Sequence, residues 1–384
     1  MLPGEAGARH DRAVRRLLLP FLCALPLVMS TPACVARDVV KARVAFASGQ
    51  GSKSELPPQR HLEPFDIERA TPSDDPALSV EPSSALSALS ADEDPLLFGL
   101  RSAVILSGAK SVGATSLVLK LPLDGGLVAA FKPDTKKHRG RYRAEIAAYR
   151  LSRALSLEGV PPSVPRAAKI SALLASIGRP STRARLTEQM IASGPDALVG
   201  AMIAWLPSLR VLPLEKAHLW TAWGEWLSQT TPKIPIERRL GRAPLAVVMP
   251  AKELVPQISS MIAFDHLTGN RDRWSGHNVM VDETGRRLIF LDNNLAFDEK
   301  LDVASTRKRE KVLARVERFS RALITAVRKL TRDDLVRIFG VDQDGAPLLS
   351  AAQIDACLSR RDELLAHVDR LIVRYGQERV LAYE

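Results

Sequence analysis

The stretch FDHLTGNRDRWSGHNVMVDETGRRLIFLDNN, residues 264–294, decides the fold, because it places polar side chains in a loop between a helix and a hairpin. VMVD and RLIFLD predict two short strands, joined by a turn at Glu283 to Gly285. Asp272 lies in the loop before this hairpin, and Asp292 follows its second strand. Catalytic and binding residues commonly lie on loops that a rigid scaffold holds in position. The stretch therefore predicts a site of carboxylates at one end of a small hairpin.

Three side chains of this stretch have the order that phosphoryl transfer requires. Asp272 would accept or orient the proton of the incoming hydroxyl, and Asp292 would bind the metal that bridges the phosphates. Asn278 would bind a metal through its amide oxygen, and Mg²⁺ or Mn²⁺ prefers such hard oxygen ligands. Asn278 lies six residues after Asp272, whereas such loops usually place this ligand five residues after, which is His277 here. Either a bulge in the loop or a different ligand would explain the spacing.

A second pair of residues upstream fits the same chemistry. Lys132 ends the apolar run LVAAFKP, and Glu145 lies in the helical segment that follows. In this arrangement the lysine holds the phosphates and the glutamate holds the lysine. Singly, each residue type is typical of a solvent-exposed side chain. Together with Asp272, Asn278 and Asp292 they predict one nucleotide site.

The segment SGAKSVGATS, residues 107–116, resembles a phosphate-binding loop at first sight. That motif requires a lysine after its second glycine, and Ala114 stands there, which excludes it. Gly108 and Gly113 are instead predicted in a β-turn over the phosphates. A plain hairpin turn is the alternative.

The pattern around these residues predicts an α+β domain of two lobes. The runs AVIL, TSLVLKLP and LVAAFKP predict a small β lobe with one helix, and the last two runs predict a hairpin that turns at Asp124, Gly125 and Gly126. The run LVGAMIAWLP predicts a connecting strand. Helical periodicity precedes the hairpin and dominates from Ala304 onward. The predicted domain covers residues 96–384, with an N-lobe of about 96–198 and a C-lobe of about 208–384.

The N-terminal region predicts export. Basic residues before a short apolar run predict an export signal over residues 1–34. A cut before Cys34 would allow a lipid anchor there, but Thr31 is not the leucine expected three residues upstream, which favours secretion or periplasmic release. Residues 35–95 are rich in Ser, Pro and acidic residues and predict a flexible linker. Contact with a membrane is expected only through a lipid on Cys34.

Composition limits the classes of protein further. The chain has 384 residues, of which 46% are hydrophobic, enough for a substantial core. Three cysteines exclude a disulfide framework and a zinc site built from cysteine. The net charge of +11 is compatible with a nucleotide and an acidic acceptor. Nucleic acid is not expected as a partner.

Five blocks of the sequence resemble one known family. The sequence is similar to the secretory-pathway kinases of the Golgi casein kinase and xylosylkinase group, the family with sequence similarity 20. The blocks occur in family order: AAFKP (129–133), AEIAAYRLSRAL (144–155), GVPPSVPR (159–166), TGNRDR (268–273) and FLDNN (290–294).

This resemblance implies an atypical kinase fold, ATP with Mg²⁺ or Mn²⁺, and a hydroxyl acceptor on a protein or glycan. By motif match, roles pass to Lys132, Glu145, Asp272 and Asp292, whereas residues 167–250 match poorly and inherit none. The disulfides of the animal members are absent, which favours a bacterial-type exported branch. Two alternatives stay open on the same fold: a pseudokinase that binds nucleotide without turnover, and a transferase of AMP.

Overall fold

The computed structural model describes residues 94–113, 116–216, 223–230, 251–276 and 278–384, and in the fourth range it describes side chains from Glu253 onward. All of these residues belong to one unit of the chain. The predicted export signal, Cys34, nearly all of the predicted linker and His277 lie outside the described residues.

An antiparallel sheet of five strands forms the N-terminal part of this unit, in the order β1-β2-β3-β5-β4. The predicted hairpin is confirmed, because Leu119 pairs with Phe131 and Pro122 with Val128. Its turn contains Gly125 and Gly126 at φ of 69° and 77°, where a side chain would be strained. The strands are β1 Lys110–Ser111, β2 Leu119–Pro122, β3 Val128–Pro133, β4 Ser163–Lys169 and β5 Ala197–Ala204.

The start of the domain differs from the prediction. AVIL forms no continuous strand, and within it Ile105 makes an isolated bridge with Leu123. Helix α1, Pro95–Ser102, comes first, because the Asp94 side chain accepts from the backbone N–H of Leu96 and Pro95 occupies the first helical position. Regular structure therefore begins before AVIL.

The run LVGAMIAWLP is a strand, as predicted, but it lies inside the sheet. β5 is inserted between β3 and β4, where Ala201 pairs with both Lys132 and Pro165. A lobe boundary at 198 would therefore cut through β5. Strand β4 was not predicted from the sequence, and its Pro165 is tolerated because β4 is at the edge of the sheet.

Three helices accompany the sheet: α2 Tyr142–Ala154, α3 Ile170–Ser176 and α4 Pro180–Gln189. The predicted helix is α2. Its Ile146 packs with Ala201 of β5, and its Leu151 lies in the main hydrophobic core with the C-terminal helices. Each such fully buried side chain contributes roughly 1.5–3 kcal/mol to stability. Helix α2 is therefore fixed from two sides, which positions Glu145.

The C-terminal part combines a small sheet with helices, as predicted. Val279 pairs with Phe290, which confirms the hairpin of VMVD and RLIFLD. None of the described helices has the length and apolar composition needed to cross a bilayer. The elements are β6 Arg210–Val211, α5 Ala251–Thr268, β7 Val279–Val281, β8 Leu288–Phe290, α6 Val303–Leu313, α7 Arg321–Lys329, α8 Arg332–Phe339, α9 Ala351–Tyr375 and α10 Gln377–Val380.

Candidate active site

Lys132 of β3 meets two carboxylates that come from distant parts of the chain. Its Nζ lies 2.6 Å from Glu145 Oε1 on α2 and 2.8 Å from Asp292 Oδ1 after β8. The Lys132 side chain is 14% exposed and that of Glu145 is 4% exposed, so water screens their attraction weakly. The structure therefore brings together three of the residues that the sequence singled out.

These contacts keep Lys132 and Asp292 charged. Burial alone would lower the pKa of Lys132, but the Glu145 and Asp292 carboxylates together raise it above its ordinary value. Burial would raise the pKa of Asp292, and the charge and hydrogen bond of Lys132 outweigh this and lower it. The site thus holds an ammonium beside a carboxylate at neutral pH, as phosphate and metal binding require.

Glu145 also fixes the segment after β8. Its Oε1 accepts from the backbone N–H of Asn293 at 3.0 Å, besides the bond from Lys132. Asp292 itself has a φ of 57°, a left-handed conformation that is uncommon for a residue with a side chain. Such a conformation persists when its surroundings hold it, and here Lys132 and the Glu145 bond to the next residue do so.

The loop after α5 joins Asp272 to this cluster through Asn270. The Asn270 Nδ2 donates to Asn293 Oδ1 at 3.3 Å and lies 3.5 Å from the Asp292 carbonyl oxygen. Asn270 Oδ1 accepts from the backbone N–H of Asp272 at 3.0 Å. One buried amide therefore connects Asp272 to the Asp292 segment.

Asn278 lies against Asp272. Its Nδ2 donates to the Asp272 carbonyl oxygen at 2.9 Å and to Oδ2 at 3.1 Å. With the nitrogen engaged, the amide oxygen is the atom that a metal would take. His277, the other candidate, lies outside the described residues.

Asp292 and Asn278 fit a hard divalent cation by their donor chemistry. The described residues contain no group of three or more His, Cys, Asp or Glu side chains that could hold a metal alone. Mg²⁺ is commonly bound by one or two protein oxygens and completed by phosphates and water. A carboxylate and an amide oxygen on either side of one hairpin match that pattern.

Arg273 is a central residue that the sequence did not single out. Its guanidinium, 0% exposed, pairs with Asp265 of α5 through Nε at 3.0 Å and Nη2 at 3.1 Å. It also donates to the Asn293 side chain at 2.6 Å and to the carbonyl oxygens of Asn278 and Leu291. The loop, the hairpin and the Asp292 segment are thus held by one cation. In the sequence, Arg273 was only the last residue of the TGNRDR block, directly after Asp272, and no role was assigned to it.

A small cavity opens beside Lys132. Ser116, Thr135, His138 and Asn294 supply polar groups to its lining. Within the described residues, His138 Nε2 is buried without a hydrogen-bond partner. Burial and the nearby cations Lys137 and Arg141 lower the pKa of His138. An oxygen-rich ligand such as a phosphate would satisfy these groups.

The two predicted glycines lie at opposite ends of β1. Gly113 lies in the connection between β1 and β2. The N–H of Val112 donates to the Val118 carbonyl oxygen at 2.9 Å and closes this connection. A Cβ on Gly113 would lie 2.1 Å from the Ser116 carbonyl oxygen, so the turn beside the cavity requires glycine. Gly108 precedes β1, and its N–H donates to the Ser176 carbonyl oxygen. The structure does not place Gly108 in the turn near Lys132.

Solved structures match this fold, although no protein-family model and no curated protein sequence matches the chain. The structure of hydra Fam20 with sugar matches with a TM-score of 0.57 at 20% identity, over 76% of this chain and 93% of that chain. Two structures of the Golgi casein kinase, one of them with Mn/ADP bound, match at 17% identity with TM-scores of 0.53 and 0.52. They cover 75% of this chain and 76% and 78% of their own chains.

The fold is similar to that of hydra Fam20 and of the Golgi casein kinase. The predicted class, α+β with two lobes, is therefore confirmed. In this fold the five-stranded sheet and α2 belong to the N-terminal part, and the Lys132–Glu145 pair meets Asp292, which follows β8 in the C-terminal part.

Proposed function

We propose that the protein is a kinase that transfers the γ-phosphoryl group of ATP to a hydroxyl group of a protein or glycan. The observation that carries the proposal is Lys132, held between Glu145 and Asp292, with Asp272 connected to the same segment through Asn270. Phosphoryl transfer depends mostly on positioning and charge stabilisation, which this network provides.

Each side chain has a distinct task in this proposal. Lys132 binds phosphate oxygens, and Glu145 keeps it in place. Asp292 and Asn278 would hold Mg²⁺ or Mn²⁺, which neutralises phosphate charge when bound. Asp272 orients the acceptor hydroxyl and takes its proton, and the Asn278 amide keeps that carboxylate in position.

The acceptor would approach through a wide cleft next to the site. Arg139, Arg141, Arg143 and Lys300 line this cleft. Asp298 and Glu299 also line the cleft, and Asp298 pairs with Arg141. The remaining excess of cations favours an acceptor that carries acidic groups, in agreement with the net charge of +11. Export, a possible lipid on Cys34 and membership of a bacterial-type branch are proposed from the sequence alone.

The test is transfer from labelled ATP by the purified chain. Candidate acidic proteins and glycans are incubated with Mg²⁺ or Mn²⁺, and Asp272→Asn is compared with the unchanged chain. Loss of the base should lower kcat by about 10²- to 10⁴-fold. The affinity for ATP should stay within a factor of about two, because Asp272 does not touch Lys132 or its partners directly.

Mass spectrometry of the products separates the outcomes. An added phosphate supports the proposal, whereas an added AMP would replace it with the transfer of a nucleotide. ATP binding without any product would indicate a pseudokinase. Full transfer by Asp272→Asn would remove Asp272 from its role.

A further inference from the structure

Asp298 binds two arginines that belong to different parts of the site. Its Oδ1 lies 2.5 Å from Arg141 Nη1, and its Oδ2 lies 3.6 Å from Arg271 Nε. The Asp298 side chain is 14% exposed, so these ion pairs are less screened than pairs on the surface. Neither the motifs nor the spacing in the sequence drew attention to this residue.

The two arginines stand next to residues of the proposed chemistry. Arg141 directly precedes α2, and Glu145 on the first turn of that helix holds Lys132. Arg271 directly precedes Asp272 in the loop after α5. A single carboxylate therefore links the helix that positions the phosphate-binding lysine to the loop that carries the proposed base.

Asp298 is itself fixed to the C-terminal part of the fold. Its carbonyl oxygen accepts from Arg360 Nη1 at 3.0 Å, and Arg360 Nε donates to the Leu267 carbonyl oxygen at 3.0 Å. The preceding residue, Phe297, donates its N–H to the Thr268 carbonyl oxygen at 2.7 Å. Hydrogen bonds to the end of α5 therefore hold the backbone of Asp298, and with it the position of the carboxylate.

Loss of this carboxylate would do more than remove two attractions. Charge-assisted hydrogen bonds to guanidinium groups are among the stronger contacts in proteins. Without Asp298, two positive groups would face each other in a partly buried place, and like charges there repel. The beginning of α2 and the loop at Asp272 would then be pushed apart.

We propose that Asp298 is a positioning residue that keeps α2 and the loop at Asp272 at the spacing needed for phosphoryl transfer. The proposal rests on the proposed kinase function. Because the negative charge is built into the chain, this spacing needs no added phosphate or bound anion. Asp298 acts through Arg141 and Arg271 and does not itself touch the nucleotide.

The test compares Asp298→Asn, which keeps the shape but loses the charge, with Asp333→Asn. Asp333 is a suitable control, because it is an exposed aspartate in the first turn of α8 that does not line the cleft, and the substitution makes the same change. For Asp298→Asn, kcat at saturating ATP and acceptor should fall about tenfold, on the order of the loss of one hydrogen bond to a charged group. Asp298→Glu should recover part of this loss, and Asp333→Asn should change kcat by less than about twofold.

Hydrogen exchange measured by mass spectrometry provides a readout that is independent of turnover. In Asp298→Asn, exchange should increase about tenfold in residues 141–145 and 270–276 and stay unchanged in α9. Arg141→Gln should affect the first segment alone, and Arg271→Gln the second alone. These two variants keep the proposal testable if Asp298→Asn fails to fold.

The outcomes separate this proposal from the proposed function. If the unchanged chain transfers nothing, the kinase function fails, and the exchange data still decide the role of Asp298. Unchanged exchange in both segments would overturn the positioning role. Equal increases over the whole chain would also overturn it, since they indicate a loss of global stability. A change confined to the KM of the acceptor would show that Asp298 is instead a residue of the acceptor cleft.

Discussion

At the scale of single residues, the Lys132–Glu145 pair is the contact most open to measurement. Glu145→Gln keeps an oxygen acceptor for the Asn293 N–H but removes the charge that faces Lys132. Asp292 would then be the single carboxylate paired with Lys132, and the lysine would be less well placed for phosphate. We expect the Kd for ATP with Mg²⁺ to rise about tenfold, as is typical when a charged hydrogen bond is lost.

Titration calorimetry measures this change. Glu310→Gln on α6 removes the same charge from an exposed side chain that forms no ion pair with Lys132, and it serves as the matched control. Its Kd should equal that of the unchanged chain. Equal affinities for Glu145→Gln and Glu310→Gln would show that the pair does not contribute to nucleotide binding.

The sequence pointed to Lys132, Glu145, Asp272 and Asp292 because their residue types and chain order are distinctive. Arg273 and Asn270 were missed, because their roles arise only from burial and from acceptors contributed by several segments. Gly108 was misplaced for a related reason: a glycine on either side of a two-residue strand looks equivalent in the sequence. Contacts between segments that are far apart in the sequence cannot be inferred from the spacing of residues along the chain.

At the scale of elements, the packing of β5 against β3 makes a prediction about Gly200. A Cβ on Gly200 would lie 2.5 Å from the Lys132 carbonyl oxygen and 2.8 Å from the Phe131 ring. Gly200→Ala should therefore displace β3 and lower the free energy of unfolding by roughly 1–3 kcal/mol, as overpacking does. The Kd for ATP should rise as well, since β3 carries Lys132.

Urea unfolding and titration calorimetry check both effects. Gly178→Ala is the control, since a Cβ added to Gly178 would meet no other atom within 4 Å. Stability and affinity equal to those of the unchanged chain in Gly200→Ala would contradict the close approach of the two strands.

Elements with strong periodicity were predictable and others were not. The hairpin around Gly125 and helix α2 follow from alternation and from helical spacing. Strand β4 was missed because Pro165 usually argues against a strand, and its edge position depends on the rest of the sheet. Helix α1 was missed because its signal is a cap and a proline at Asp94 and Pro95, in a segment of linker-like composition.

At the scale of the whole molecule, buried histidine makes stability depend on pH. His266 is 2% exposed, and burial lowers its pKa despite Glu363 at 3.3 Å, with Arg309 and Arg360 lowering it further. The unfolded chain thus binds a proton more readily than the folded chain. The stability associated with neutral His266 is present above the ordinary pKa of about 6.5 and is lost as the pH falls below it.

We therefore expect the free energy of unfolding to decrease from pH 6.5 to pH 5, by up to about 1.4 kcal/mol per pH unit for each such group. His266→Gln, which cannot take up a proton there, should show a shallower decrease. Urea unfolding at intervals of pH measures both slopes, and the interval from pH 7 to 8 serves as an internal reference. Identical slopes below pH 6.5 would exclude His266 as a source of acid sensitivity.

The guanidinium of Arg273 has a consequence for how the protein loses activity. Since one side chain binds α5, the loop, the hairpin and the Asp292 segment together, we expect these four parts to unfold together. Thermal inactivation should then follow a single cooperative curve that coincides with the loss of tertiary structure. A lysine in this place could satisfy few of these acceptors, and the protein would then unfold over a wider range of temperature.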